Sequence, residues 1–121
     1  MINIPVSIGE LFDKITILEI KITMGIKEAQ NELDLLNKIK SKLDPPIYVI
    51  GLYKALSSIN ISLWDIENDK RKCEKDKIFN KKFIELSRSV YILNDQRAHL
   101  KKLINKYMNS EIEEYKNHEE Y

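Results

Sequence analysis

The segment "NKKFIELSRSVYILNDQRAHLKKLINKYM", residues 80 to 108, contains no Gly or Pro over its whole length, which predicts one uninterrupted helix. Asn80 is a suitable N-cap for a helix that begins at the next residue and continues to Met108. At 1.5 Å per residue such a helix is about 40 Å long. That is long for a chain of 121 residues.

Three further helices are predicted before this one. Ser7 is followed three residues later by Glu10, which is the spacing of a capping box and starts a helix at Ile8. Gly25 is suited to the left-handed turn that ends this helix near Met24. The spacing of apolar residues predicts two more helices, from about Lys27 to Leu43 and from about Gly51 to Glu74.

The remaining segments are short. We expect residues 1–6 to form an extended arm and Ile47 to Ile50 to be extended after Pro46. Ser110 and Glu113 repeat the capping-box spacing, which predicts a short helical turn in residues 110–121, with a frayed end. The whole pattern predicts a single all-α domain over residues 1–121. It is an antiparallel bundle of about four helices, in which helices 3 and 4 form a long hairpin.

Charge and cysteine content exclude several classes of protein. The 20 basic and 19 acidic residues leave a net charge of +1, so we expect no nucleic-acid partner. The chain starts without a basic and apolar leader, and no window looks long enough to span a bilayer, so we expect a cytoplasmic protein that does not bind membranes. Cys73 is the only cysteine, which excludes an internal disulfide. We expect no metal and no cofactor.

Helix 4 carries polar residues where its apolar face should continue. Val90 and Ile104 lie on that face, but the positions between them are Asn94, Arg97 and Lys101. Burying a charge without a partner costs several kcal/mol, so these cations require carboxylates from neighbouring helices.

Helices 1 and 3 offer those carboxylates. Glu19 lies at the edge of the apolar stripe of helix 1, and Asn60 and Glu67 flank the stripe of helix 3. We therefore predict one interior polar cluster that includes both glutamates. Its primary members are Glu19, Asn60, Glu67, Asn94, Arg97 and Lys101, and its secondary candidates are Asp13, Lys14 and Arg71.

Two interpretations of this cluster remain open. It is a structural ion-pair network that fixes helix register, or the seam of a homodimer, in a non-catalytic interaction module. Alternatively it is a pocket that holds a small carboxylate or phosphate compound, with Arg97 and Lys101 as clamps, Asn60 and Asn94 as donors and a glutamate as acceptor or general base. The long helices favour a homodimer under either interpretation.

The mixture of charges also separates two kinds of helical enzyme. All-α nucleotide pyrophosphohydrolases bind Mg²⁺ with several convergent carboxylates, whereas here the carboxylates are matched by cations. Helical chorismate mutases use arginine, lysine, glutamate and amide groups. The predicted cluster is closer in composition to the second kind, but composition alone does not establish an enzyme or its reaction.

Three stretches carry a family resemblance. They are PVSIGELFDKITILEIK at residues 5–21, SLWDIEND at 62–69, and VYILNDQRAHLKKLIN at 90–105 followed by SEIEEYK at 110–116. Together they resemble an uncharacterised bacterial and phage domain family of unknown function. Its members are similar to this chain at Gly9 to Lys14, Trp64 to Glu67 and Asn94 to Ala98. The resemblance implies no activity, but its motifs include Asp13, Glu67 and Arg97.

Overall fold

The computed structural model describes residues 1–121 and confirms an all-α bundle. Residues 1–7 precede the first helix and contain no helix or strand. A short 3₁₀ turn, Lys27–Ala29, leads directly into the second helix. The four α-helices are α1 (Ile8–Thr23), α2 (Gln30–Leu43), α3 (Ile47–Asp76) and α4 (Lys81–Tyr107).

The predicted starts of α1 and α4 and the predicted end of α1 are confirmed. The Ser7 hydroxyl accepts the backbone N–H of Glu10 at 3.0 Å, which caps the start of α1. Gly25 has φ of 89°, a left-handed conformation that glycine adopts without steric cost. The Asn80 side chain accepts the N–H of Phe83 at 3.2 Å, so α4 begins at Lys81.

Two local predictions were wrong. Ile47 to Ile50 is not extended but forms the first turn of α3, because the carbonyl of Pro46 accepts the N–H groups of Val49 and Ile50. Residues 110–121 contain no helical turn. The Ser110 hydroxyl accepts the N–H of Ile8 at 3.1 Å and donates to the carbonyl of Ile112 at 2.7 Å. It therefore does not cap a helix, and a helix of one or two turns is unstable by itself.

The helices are arranged in layers around α1. α3 and α4 form an antiparallel hairpin with the most extensive contact in the molecule, α1 packs against both of them, and α2 packs against the other side of α1. Apolar residues from all four helices and the 3₁₀ turn form one core. Its buried members are Leu11, Phe12, Ile15, Leu18, Ala29, Leu33, Val49, Leu56 and Ile104.

The first turn of α1 lies directly on α4. A Cβ atom at Gly9 would lie 2.5 Å from the carbonyl oxygen of Lys101, so only glycine permits this approach. The Asn105 side chain, which is buried, accepts the N–H of Gly9 at 2.6 Å. This contact places the start of α1 beside Lys101.

The far end of the α3–α4 hairpin extends beyond the core. No residue of α3 after Leu63 and no residue of α4 before Lys101 is fully buried.

α3 also contains an 18-residue window with a mean hydropathy of 1.2. By length and composition alone, this helix is long and apolar enough to span a membrane. The expectation that no window has this length was therefore wrong. The core helix of a soluble protein can have the same length and hydropathy, although only 22% of this window is buried.

Candidate functional site

Asp13 is the centre of the polar cluster. Its side chain is 1% exposed, and its carboxylate accepts two hydrogen bonds from the guanidinium of Arg97, one of them at 2.8 Å from Nε. The Asn60 amide donates to the same carboxylate at 2.8 Å. The planar guanidinium fork and the amide together hold this carboxylate inside the protein. These contacts join α1, α3 and α4.

Thr16 completes the interior half of the cluster. Its hydroxyl donates to the backbone carbonyl of Asp13 at 2.7 Å and accepts from the Asn60 amide at 2.7 Å. Because residues three apart on a helix share a face, Asp13 and Thr16 meet the same amide. No buried side-chain nitrogen or oxygen in this structure lacks a hydrogen-bond partner. The interior half of the cluster is therefore fully satisfied.

Lys101 lies at the border between the interior and a surface cleft. Its ammonium donates to the carboxylates of Glu10 at 2.7 Å and of Glu114 at 3.0 Å. It also lies 3.9 Å from the Asp13 carboxylate, and its side chain is only 11% exposed. Three carboxylates thus surround one buried ammonium, and one of them comes from the irregular segment after α4.

The cleft runs along α4 and has a volume of about 670 Å³. Arg97, Lys101 and Asn94 form part of its wall, and the Asn94 amide oxygen accepts a hydrogen bond from Arg97 at 3.3 Å. The opposite wall comes from residues after α4. The cationic residues of the lining are Arg97, Lys101 and Lys116, and the anionic residues are Glu10, Asp95, Glu114 and Glu119. The lining therefore carries no excess of positive charge.

The pKa values of the charged groups follow from these contacts. The hydrogen bonds to Asp13 raise the pKa of Arg97. Burial lowers the pKa of Lys101, but its hydrogen bonds to Glu10 and Glu114 outweigh burial, and the pKa is raised overall. Lys116 and Lys101 donate to Glu114 and lower its pKa to about 2. All three groups are therefore charged at neutral pH.

Glu19 does not belong to this cluster, contrary to the prediction. It lies at a different part of the α1 surface, where the hydroxyl of Tyr53 donates to its carboxylate at 2.5 Å. The ammonium of Lys40 lies 3.7 Å from the centre of the Tyr53 ring. Burial and the hydrogen bond to Glu19 raise the pKa of Tyr53, and burial lowers that of Lys40. The sequence predicted one polar cluster where the structure has two.

The second predicted carboxylate, Glu67, is also outside the cluster. Its side chain is 48% exposed, and its ion pair is with Lys70 at 3.7 Å. Glu67 lies after Leu63, the last fully buried residue of α3. Among the secondary candidates, Lys14 is 58% exposed and pairs with Glu32 at 3.6 Å, and Arg71 is exposed without an ion pair. The structure therefore brings together Asp13, Asn60, Asn94, Arg97 and Lys101.

Some members of the site were not singled out in the sequence. Asn105 continues the polar face of α4 one turn after Lys101, so its spacing carried a usable signal. Glu10 was assigned to a capping box, but its side chain binds Lys101 and only Ser7 caps the helix. Glu114 carries no local signal, because its position depends on how an irregular segment folds back.

Comparisons with known proteins give a family but no activity. A search of curated proteins and a search of solved structures both find no match to the chain. One family profile matches residues 2–120, nearly the whole chain, and its description is a family of unknown function. The expectation that the chain belongs to an uncharacterised domain family is therefore confirmed. The chain belongs to the family of unknown function DUF6165.

Proposed function

We propose that the cleft along α4 binds a small carboxylate compound in the place that the Glu114 side chain occupies. The observation that supports this proposal is the contact of Lys101 with Glu114. An ammonium only 11% exposed holds, at 3.0 Å, a carboxylate whose side chain is 45% exposed. A buried cation that faces a cleft and binds an exposed carboxylate has the chemistry of a carboxylate site.

The neighbouring groups suit a carboxylate with further polar atoms. Arg97 keeps 28% of its side chain exposed although it binds Asp13, and the Asn94 amide lies beside it. The volume of about 670 Å³ is within the usual range of small-molecule pockets. Because Glu10 and Asp13 lie close to Lys101, a carboxylate group, which carries one negative charge, is favoured at this ammonium over a phosphate group that carries two.

Binding requires Glu114 to leave. It lies in a segment without helix or strand, so its displacement breaks no hydrogen bonds of a helix or sheet. Ligand and Glu114 then compete for one ammonium, and the apparent affinity falls by the fraction of molecules in which Glu114 is bound.

Calorimetric titration with succinate tests the proposal. Glu114→Gln removes the competing charge, so succinate is expected to bind this variant about tenfold more tightly than the wild type. Glu113→Gln is the matched control, because the Glu113 carboxylate forms no ion pair. Adding Lys101→Met to the Glu114→Gln variant should abolish binding. Absence of succinate and acetate binding to Glu114→Gln at millimolar concentrations would reject the site.

A second candidate function rests on a different observation. The Asp13 carboxylate is fully enclosed and partnered, which is what a network that fixes helix register requires. In that case the protein is a non-catalytic interaction module, and the cleft is permanently closed by its own Glu114. The Glu114→Gln titration separates the two, because only the binding function predicts that succinate affinity appears when the glutamate is removed.

A further inference from the structure

The outward face of α3 lacks the charges of an ordinary solvent-facing helix. Ten residues between Ile47 and Asp65 are exposed, and only Lys54 and Asp65 among them are charged. Three are isoleucines, of which Ile47 is 84% and Ile61 48% exposed. A surface helix normally places charged residues opposite its buried face. This face therefore has the composition of a surface that is covered.

No element of the chain covers it. α1 and α4 pack on the opposite side of α3, where Leu56, Asn60 and Leu63 are buried. Next to the outward face, a groove of about 550 Å³ between α3 and α4 is lined mostly by apolar residues, among them Ala55 and Ile92. The apolar surface thus continues from α3 into the groove.

The two charges on this face are arranged so that the face complements itself. Lys54, Ser58, Ile61 and Asp65 follow one another at intervals of four, three and four, which places them in one stripe along the helix. Neither Lys54 nor Asp65 forms an ion pair within the chain. When two copies of α3 lie antiparallel about a two-fold axis between Ser58 and Ile61, each Lys54 faces Asp65 of the other copy. Each Ile61 then faces the small side chain of Ser58.

We propose that the outward face of α3 pairs with the same face of a second copy of this chain. The charge arrangement favours this occupant over a lipid bilayer, because a bilayer would leave Lys54 and Asp65, about 16 Å apart along the helix, without partners in an apolar medium. A second copy neutralises both pairs at once. The proposal is independent of the carboxylate site, which lies on α4 and α1.

Charge reversal tests this pairing without touching the core. In a dimer of Lys54→Asp or of Asp65→Lys, residues 54 and 65 carry the same charge, and they face each other at two symmetric positions. Each variant is therefore expected to raise the dimer dissociation constant roughly a hundredfold. Mixing the two variants restores both opposite-charge pairs, and a heterodimer should form. The double variant should dimerise as the wild type does. Analytical ultracentrifugation of each species and of the mixture measures these outcomes.

Two exposed isoleucines provide the matched control. Ile61→Glu at the centre of the stripe should abolish dimers, whereas Ile84→Glu, at a residue that is 55% exposed on the projecting part of α4, should leave them intact. A wild type that is monomeric at 100 µM, or dimers that persist in both single variants, would overturn the proposal. If the wild type is monomeric and floats with phosphatidylcholine vesicles, the outward face of α3 binds a membrane and the proposal is overturned. Succinate binding to Glu114→Gln is unaffected by either result.

Discussion

Asp13 and Arg97 are 84 residues apart in the sequence and are joined by two parallel hydrogen bonds between carboxylate and guanidinium. The pair fastens the first half of α1 to the middle of α4. Asp13 is buried almost completely, whereas Arg97 retains an edge toward the cleft. The same pair thus links the packing of the bundle to the wall of the candidate site.

Replacing Arg97 with Met is expected to destabilise the fold by about 3–5 kcal/mol, because it leaves a buried carboxylate without its main partner. Urea unfolding at one protein concentration measures the change. Arg71→Met is the control, since Arg71 is an exposed arginine with no ion pair, and it should change stability by less than about 0.5 kcal/mol. Equal stabilities of the two variants would show that Asp13 does not depend on Arg97.

Replacing Asn60 with Leu is expected to cost about 1–3 kcal/mol, although the substitution adds apolar surface to a buried position. The amide of Asn60 donates to both Asp13 and Thr16, and leucine leaves these acceptors with one partner fewer. Asn68→Leu, at an exposed position on the same helix, is the comparison. A stability gain in Asn60→Leu would mean that the amide is dispensable.

Two glycines should respond in opposite directions to alanine. Gly9→Ala places a Cβ 2.5 Å from a backbone oxygen of α4, and we expect a loss of about 1–3 kcal/mol. Gly51 lies in α3 with no atom within 4 Å of an added Cβ, so alanine there should stabilise by about 0.5–1 kcal/mol. Thermal unfolding at low protein concentration measures both changes without a contribution from association. Similar losses at both glycines would contradict the close approach of α1 and α4.

Acid should release Glu114 from Lys101. The pKa of Glu114 in the folded protein is about 2, below the ordinary value of 4.5. A lowered pKa means that the contact stabilises the fold above about pH 4.5 and that this contribution is lost as the pH falls toward 2. We therefore expect the melting temperatures of wild type and Glu114→Gln to differ at pH 6 and to converge near pH 2.

The NMR titration of the Glu114 side-chain carboxyl carbon checks the same prediction directly. Its midpoint should lie near pH 2 in the wild type, and it should move toward the ordinary value in Lys101→Met. A midpoint near 4.5 in the wild type would show that the glutamate is not held.

The helices and most of their ends could be predicted from local residue order. Ser7, Gly25 and Asn80 act on their own neighbours through short hydrogen bonds or backbone conformation, so their effects do not depend on the rest of the fold. The length of α4 and its polar middle also follow from local residue order. Residue spacing along α4 alone therefore predicts Asn94, Arg97 and Lys101 as members of the polar cluster.

Which carboxylates bind Arg97 and Lys101 depends on how the helices pack together. α1 is covered on two sides, by α2 and by the α3–α4 hairpin, so a helical wheel cannot tell which polar edge faces which neighbour. Asp13 faces Arg97 on one side, and Glu19 faces Tyr53 on another. Glu114 reaches Lys101 only because an irregular segment folds back along α4. Such contacts depend on how the helices rotate and pack against one another, and residue spacing within a single helix does not specify that rotation.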